Sequence, residues 1–436
     1  MNTLLPVRLV RTAVLLASAI LAASLGACSP AFGQRAAEVS VSPAGLCLDS
    51  ASTTTPARLD STHLVYVEQE TVVAGSDDRI LVAGNPVFVW RQAESGYDLL
   101  ARDSLFGIVI DSGTSRVRAI PTPLPGRTLS GMRAAALPDG WWLVVFADVA
   151  RVAQVINPPV LSMWVGETNG TRWRGLQRLP AVRDSLEVMS VSRLDLRDGR
   201  VRFTVKTKRD RHHRVIVFAR DAGRWTATDH PFGSADYAAI TSTKSQDLLA
   251  VVRLDTTEAS DANSLFLYAK AHDDSAWTLV SRVARGLQAP VHDPQFVPDD
   301  ETPLLVWQSG DPAGNTEGWM TEISGRVATF SPPLHFGSGI RVLATSTRAG
   351  SAVIATSDYA RLSTAQLFEI HRPERVARVS HRVTSFGGLT SVALARGRAV
   401  VIQSQPSATS RDPAVISLLE THAWRCPKRP QTILTR

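Results

Sequence analysis

One phrase keeps returning along this chain: "LPDGWWLVVFAD" at 137–148, "LRDGRVRFTVKT" at 196–207 and "LARGRAVVIQSQ" at 394–405. Each sets a Gly-containing turn between two apolar segments rich in β-branched and aromatic residues. Asp-Gly accepts positive φ at a tight turn, so the phrase marks a β-hairpin. A second hairpin follows the first. After 137–148 comes "VLSMWVGETNGTRWRGLQRL", turning at Asn169-Gly170; after 196–207 comes "RVIVFARDAGRWTATD", turning near Ala222-Gly223. First-hairpin turns fall near Gly84, Gly140, Gly199, Gln246, Glu301, Gly350 and Gly397. Second-hairpin turns fall near Gly113, Gly170, Ala222, Asp274, Gly325, Pro373 and His422. Four strands thus recur roughly every 50 residues.

That period, with four strands per unit, is the pattern of β-propeller blades. A lone four-stranded sheet cannot bury both faces; set radially, each sheet covers its neighbours, and closing the ring removes the unpaired ends. The reading is therefore an all-β chain with seven four-stranded blades, six to eight being compatible with the spacing. The blades are expected at 63–124, 125–181, 186–233, 234–287, 288–335, 336–384 and 385–427, with a basic tail at 428–436. A row of β-sandwiches is the rival, but its units run to about 100 residues. The strand-like "HLVYVEQETVV" at 63–73 is expected to pair with the last blade and lock the circle.

The N-terminus reads "MNTLLPVRLVRTAVLLASAILAASLGACSPAFGQ". Arg8 and Arg11 flank an uncharged, Ala/Leu-rich run from Thr12 to Leu25, the layout of a secretory signal peptide. The run is shorter than the ~20 residues a membrane span needs. Leu25-Gly26-Ala27-Cys28 resembles the lipobox of bacterial lipoproteins. That resemblance implies a signal peptide at 1–27, lipidation of Cys28, a linker at 28–60, and residence in the periplasm or at the cell surface. Membrane contact would then run through the lipid alone. The alternative is cleavage after Ala31-Phe32-Gly33, which releases a soluble secreted protein. The remaining cysteines, Cys47 and Cys426, form an even pair in an oxidising compartment and are a disulfide candidate. Such a bridge would hold the same junction that closes the ring.

The net charge of +7 and pI near 9.7 raise nucleic acid as a partner. Five lysines leave 42 arginines, and these are scattered rather than gathered into one patch or helix, so nucleic acid is not expected. The densest run, "KTKRDRHHR" at 206–214, is short and holds an acid. No metal site is expected: His212-His213 are strand neighbours that point to opposite faces, and "DTTEASDAN" at 255–263 lacks the Gly-centred spacing of a calcium loop. No cofactor is expected, since no Walker or dinucleotide motif stands in a strand–loop–helix context. No Gly-x-Ser-x-Gly elbow occurs.

Trp173, Trp225, Trp277 and Trp424 each follow a second-hairpin turn. The pattern resembles the Asp-box of sialidase-type (BNR) repeats, Ser-x-Asp-x-Gly-x-x-Trp. Gly170 stands three before Trp173 as that pattern requires, while Thr168 occupies the Asp position; the other copies depart further. The alternative is that these tryptophans serve outer-strand packing alone. The sialidase resemblance implies a glycan partner and makes a sialidase-like glycoside hydrolase the alternative function. The family's Arg-Ile-Pro motif is interrupted by Ala119 in "RAIP" at 118–121, so no catalytic residue is carried over.

In a propeller, the loops between successive blades and between second and third strands share one face, and loops on a rigid scaffold carry function. The candidate ligand residues on that face are Arg183, Asp184, Asp236, Tyr237, His292, Asp293, Asp358 and Tyr359. The expected role is binding of a glycan, a peptide or an envelope protein rather than catalysis, with a scaffold role in an envelope complex as a further alternative.

Overall fold

The structure, a computed structural model, describes residues 55–423 apart from 57–58, 62, 68–70, 76–78, 85–86, 94–95, 103–104, 112–115, 150–159, 181–186, 210–211, 230–234, 255–262, 286–289, 312–314, 326–328, 331–332, 349–350, 359–363, 372–374, 385–388, 396–397 and 406–414. All lie in one compact unit, Val41–Arg436. Every regular element among the described residues is a β-strand, and the strands pair antiparallel.

Among the described residues seven sheets follow one another along the chain, with an eighth, smaller one inserted near the start. The first holds Thr71–Ala74, Arg79–Ala83, Leu105–Asp111 and Arg116–Pro121; the second holds Thr128–Ala136, Trp142–Val149, Val160–Thr168 and Trp173–Arg178. The third runs Glu187–Val191, Arg200–Arg209, His212–Asp221 and Arg224–Asp229, with the short Asp195–Arg197 beside its second strand. The fourth holds Ala235–Ser242, Gln246–Leu254, Asn263–Ala271 and Thr278–Ala284. The fifth begins with Val291–Val297, Leu304–Asp311 and Asn315–Ser324, whose last strand pairs with both Thr329–Phe330 and Leu334–Ser338. The sixth holds Ile340–Arg348, Ser351–Asp358, Thr364–His371 and Arg375–Thr384; the seventh holds Leu389–Ala395, Arg398–Gln405 and Val415–Ala423. Gly140 and Glu301 stand between the first and second strands of their sheets, Gln246 opens the second strand of the fourth, and Gly199 turns from the short Asp195–Arg197 into the second strand of the third; the turns read near Gly350 and Gly397 lie outside the described residues.

Three local expectations fail, all near the chain ends. His422 lies inside Val415–Ala423 rather than at a turn, and the outer place in the seventh sheet goes to Thr55–Pro56, registered on Leu418 and Ser417. An N-terminal segment expected to be linker thus covers an open strand edge. The segment 63–73 does not join the last sheet: His63–Val67 pairs with Val87–Ala93, and Thr71–Ala74 leads the first sheet. Finally, Gly84 is not a simple hairpin turn. The chain leaves the first sheet after Ala83, forms the hairpin Val87–Ala93 and Gly96–Arg102, and returns at Leu105. With His63–Val67 that hairpin makes an additional three-stranded sheet.

The core explains why the strands read as they do. Trp142–Val149 is buried along its whole length because both its faces are covered. Leu143, Val145, Ala147 and Val149 face a cluster with Phe203, Val205 and Phe218 of the third sheet. Trp142, Val144 and Phe146 face Leu81, Phe106 and Val109 of the first. The period of two survives, but it divides one strand between two cores instead of between core and solvent. The outer strand Trp173–Arg178, by contrast, is mostly exposed. The same sharing continues between the third and fourth sheets and between the fourth and fifth. The extra three-stranded sheet packs Val65, Val67 and Val87 onto Ile80, Val82, Ile108 and Ile110 of the first.

Polar groups tie the leading strands together. Arg193 donates through one terminal nitrogen to the carbonyl and hydroxyl of Thr345 in the sixth sheet, and the Thr345 hydroxyl donates to the Phe296 carbonyl of the fifth (3.0 Å). Asp195 accepts from the Thr241 hydroxyl (3.1 Å) and the Ser242 amide (2.6 Å) of the fourth. Thr71–Ala74 touches the leading strands of both the second and the seventh sheets.

Tryptophan placement is structural. Trp173 meets Phe106 edge-on (centroids 4.9 Å apart), and its indole N–H donates to the Pro121 carbonyl (2.9 Å), joining the first two sheets. Thr168 braces the preceding turn: its hydroxyl accepts from the Gly170 amide (3.1 Å) and donates to the Arg172 carbonyl (2.9 Å). Trp225 packs edge-on against Phe203 within the third sheet (5.9 Å). Trp424 lies outside the described residues.

Candidate functional site

Antiparallel order places the start of each leading strand, the end of the second and the start of the third at one common edge of every sheet. Several buried polar atoms without a hydrogen-bond partner lie there, while Trp142, Arg220 and Trp225 carry others at the opposite edge. Among the described residues those at the common edge include Asp148 Oδ1, Thr207 Oγ1, Asn263 Oδ1, His292 Nε2 and Thr356 Oγ1, one from each of the second to sixth sheets. Asp148, Thr207, His292 and Thr356 are at most 4 % exposed. Buried polar groups are ordinarily satisfied, so these atoms single out the edge as a candidate site.

Within this edge the third, fourth and fifth sheets assemble a compact cluster. Asp236 lies 3.7 Å from the Lys206 ammonium and accepts from the Asn263 amide at 2.8 Å. Lys206 Nζ also stands 5.3 Å from the centre of the Tyr237 ring. That ring is 6.4 Å from His292, whose Nδ1 is 3.4 Å from an Asp293 carboxylate oxygen. Burial pushes the Lys206 amine below its ordinary pKa, with Asp236 chiefly and Asp293 opposing the shift.

Local irregularity aims these side chains. The ladder slips between Ala235 and Tyr237 in the fourth sheet and between His292 and Gln295 in the fifth. Such bulges redirect side chains at strand ends. Asp293 has φ +48°, a left-handed conformation that non-glycine residues adopt rarely and that tends to occur at functional positions.

Four sequence candidates, Asp236, Tyr237, His292 and Asp293, are thus brought together. Asp358 ends Ser351–Asp358 at the same edge, opposite Ile340. Arg183, Asp184 and Tyr359 lie outside the described residues, as do Cys28, Cys47 and Cys426. Lys206 and Asn263 are the members that sequence reasoning passed over. Lys206 was hidden in a basic run that reads as solvated surface, and Asn263 closes a segment whose acids drew the eye.

The opposite edge carries a second polar feature, a cleft of about 650 Å³ between the third and fourth sheets, lined in part by Arg200, Arg202, Asp247, Lys270 and His272. Arg200 donates to His272 Nδ1 at 2.7 Å, and His272 Nε2 is 3.6 Å from Asp247. Burial holds the imidazole below its ordinary pKa of about 6.5. Asp247 opposes that shift, while Arg200 and Arg202 reinforce it. A depressed folded-state pKa contributes stability that is present above the unfolded value and lost as pH falls through the folded one. His272→Gln is therefore expected to flatten the decline in urea midpoint from about pH 6.5 downward. An unaltered pH slope in the variant refutes the assignment.

No protein-family model matches this chain, and no curated protein matches it in sequence. Solved structures do match in backbone course. The polysaccharide lyase Uly1 matches with TM-score 0.48 at 8 % identity, over 90 % of this chain and 95 % of that one. The β-propeller domain of the Trilobed protease from Pyrococcus furiosus matches with TM-score 0.45 at 9 % identity, over 83 % and 95 %. Trypanosoma rangeli sialidase in complex with sialic acid matches with TM-score 0.43 at 10 % identity, over 71 % and 56 %. The chain is all-β, built of successive antiparallel sheets, and a propeller domain stands among its structural neighbours.

Proposed function

We propose that this protein is an exported binding module, a seven-bladed propeller anchored to the bacterial envelope through lipid on Cys28. Its ligand is a glycan, a peptide or an envelope protein, held at the edge where Lys206, Asp236, Tyr237, His292 and Asp293 meet. The seven sheets in succession, with Thr71–Ala74 against both the second and the seventh, support a closed ring of blades. Thr55–Pro56 on Val415–Ala423 supports closure by the N-terminal segment. The segment 1–27 supports export, and Leu25-Gly26-Ala27-Cys28 supports lipidation.

One observation carries the binding role: buried polar atoms unpartnered in the protein, one from each of five sheets, sit at the edge that also holds the charged and aromatic cluster. The test uses the full chain produced in a bacterial host. Acyl label is expected on the native protein and not on Cys28→Ser. The purified protein is then applied to an array of neutral glycans, acidic glycans and peptides. Binding is expected to disappear in Lys206→Met/Asp293→Ala and to persist in Lys270→Ala, which alters the opposite edge. The reverse pattern moves the site to the cleft and overturns the reading.

A further inference from the structure

The atoms at this edge say more about the ligand than that it is polar. Asn263 Oδ1 is a buried acceptor with no donor in the protein. Asp236 and Asp293 bring two carboxylates, while Lys206 contributes the ammonium. His292 Nε2, on a side chain only 5 % exposed, has no partner and is able to donate or accept according to tautomer. The set is therefore mixed: carboxylate and amide oxygens stand beside the Lys206 ammonium and, at the same edge, the Arg253 guanidinium, which lies over the Phe266 ring. A ligand carboxylate or phosphate only accepts, and it would have to approach Asp236 and Asp293 to reach Lys206. A hydroxyl donates and accepts at once, and a pair of adjacent hydroxyls matches an ammonium beside carboxylate and amide oxygens. Tyr237 adds an apolar surface: among the described residues it and Leu279 are the exposed large hydrophobic residues, Tyr237 being 38 % exposed. Aromatic rings with a polar end are favoured where one side of a contact is apolar and the other wet.

We propose that the Lys206–Asp236–Tyr237–His292–Asp293 cluster binds an uncharged sugar, taking two neighbouring hydroxyls on Lys206, the aspartates and His292 and laying the sugar against Tyr237. This rests on the edge being the binding site and adds the chemical class of what it binds. The specificity follows from charge: an acidic sugar loses one hydroxyl contact and gains repulsion from Asp236 and Asp293.

The experiment is saturation-transfer NMR on the full chain with the methyl glycosides of glucose, galactose and mannose, set against those of glucuronic acid and N-acetylneuraminic acid. A lysine-free neutral peptide is the third probe. Lys206 reactivity toward acetic anhydride, read by mass spectrometry, reports occupancy of the edge. At least one neutral glycoside is expected to bind and to protect Lys206. Tyr237→Ala is expected to weaken that binding about tenfold, as removal of a central aromatic contact does, while Tyr237→Phe stays close to the native protein. Tyr237 is exposed, so neither change threatens the fold. Acidic glycosides binding as well as neutral ones overturn the sugar assignment. Protection of Lys206 by the peptide alone also overturns it and leaves the binding edge standing. If none of the probes protects Lys206, both fall.

Discussion

Arg202→Ala is expected to cost the fold about 3–5 kcal/mol, because it strands a buried carboxylate. Arg202 lies near the start of the second strand of the third sheet with its side chain 5 % exposed, and its Nε donates to Asp247 Oδ2 at 3.0 Å. Asp247, in the fourth sheet, is 4 % exposed. Other guanidinium nitrogens reach the Asp221 carboxylate (2.8 Å) and the Val201 and Arg220 carbonyls (3.1 and 3.2 Å). Without the guanidinium, Asp247 keeps the Ser242 hydroxyl at 2.6 Å and a neutral histidine at 3.6 Å, too little for a desolvated charge. Removing both partners tells a different story. Arg202→Met/Asp247→Leu replaces the pair with apolar groups of similar size, and such exchanges are often neutral. Urea unfolding of the two single variants and the double variant measures this. A loss below about 1 kcal/mol in Arg202→Ala would show that the pair is no keystone between the two sheets.

Gly107→Ala is expected to be the most damaging single methyl in the first sheet, at about 3 kcal/mol, the upper range for overpacking. Gly107 pairs with Ala83 at the point where the chain departs for the extra hairpin and comes back. A Cβ there would lie well inside contact distance of the Val82 carbonyl oxygen and 2.8 Å from the Ala83 Cα. Both obstacles are backbone, so relief requires the strands to separate. Gly126→Ala serves as the comparison. It has φ +74° but nothing within 4 Å of the added carbon. Its cost is confined to backbone conformation, on the order of 1 kcal/mol. Equal melting temperatures for the two variants would contradict the account.

The contrast between these two glycines shows what a sequence can express. Gly140 and Gly199 stand in Asp-Gly turns and are read correctly without coordinates, since φ of +80° and +75° is a local requirement. Gly107 sits in "LFGIVID", a strand-like run, and its need for a bare backbone comes from Val82 across the ladder. The site divides in the same way. Asp236, Tyr237, His292 and Asp293 were legible because they begin leading strands, where the repeat places a loop. Lys206 and Asn263 are not, because Lys206 faces Asp236 of the neighbouring sheet and Asn263 reaches the same carboxylate from two strands away in its own sheet.

From the sequence alone come the beat of paired hairpins, the all-β class and the edge on which loops gather, since turns and period-two strands are set by neighbours a few residues away. Tertiary structure alone decided that Thr55–Pro56 covers Val415–Ala423, that His63–Val67 starts an extra sheet, and that Lys206, Asp236 and His292 meet. Each of these joins residues far apart in the chain, and strands of similar apolar pattern compete equally for a partner until the whole set of sheets packs and only one pairing buries every face.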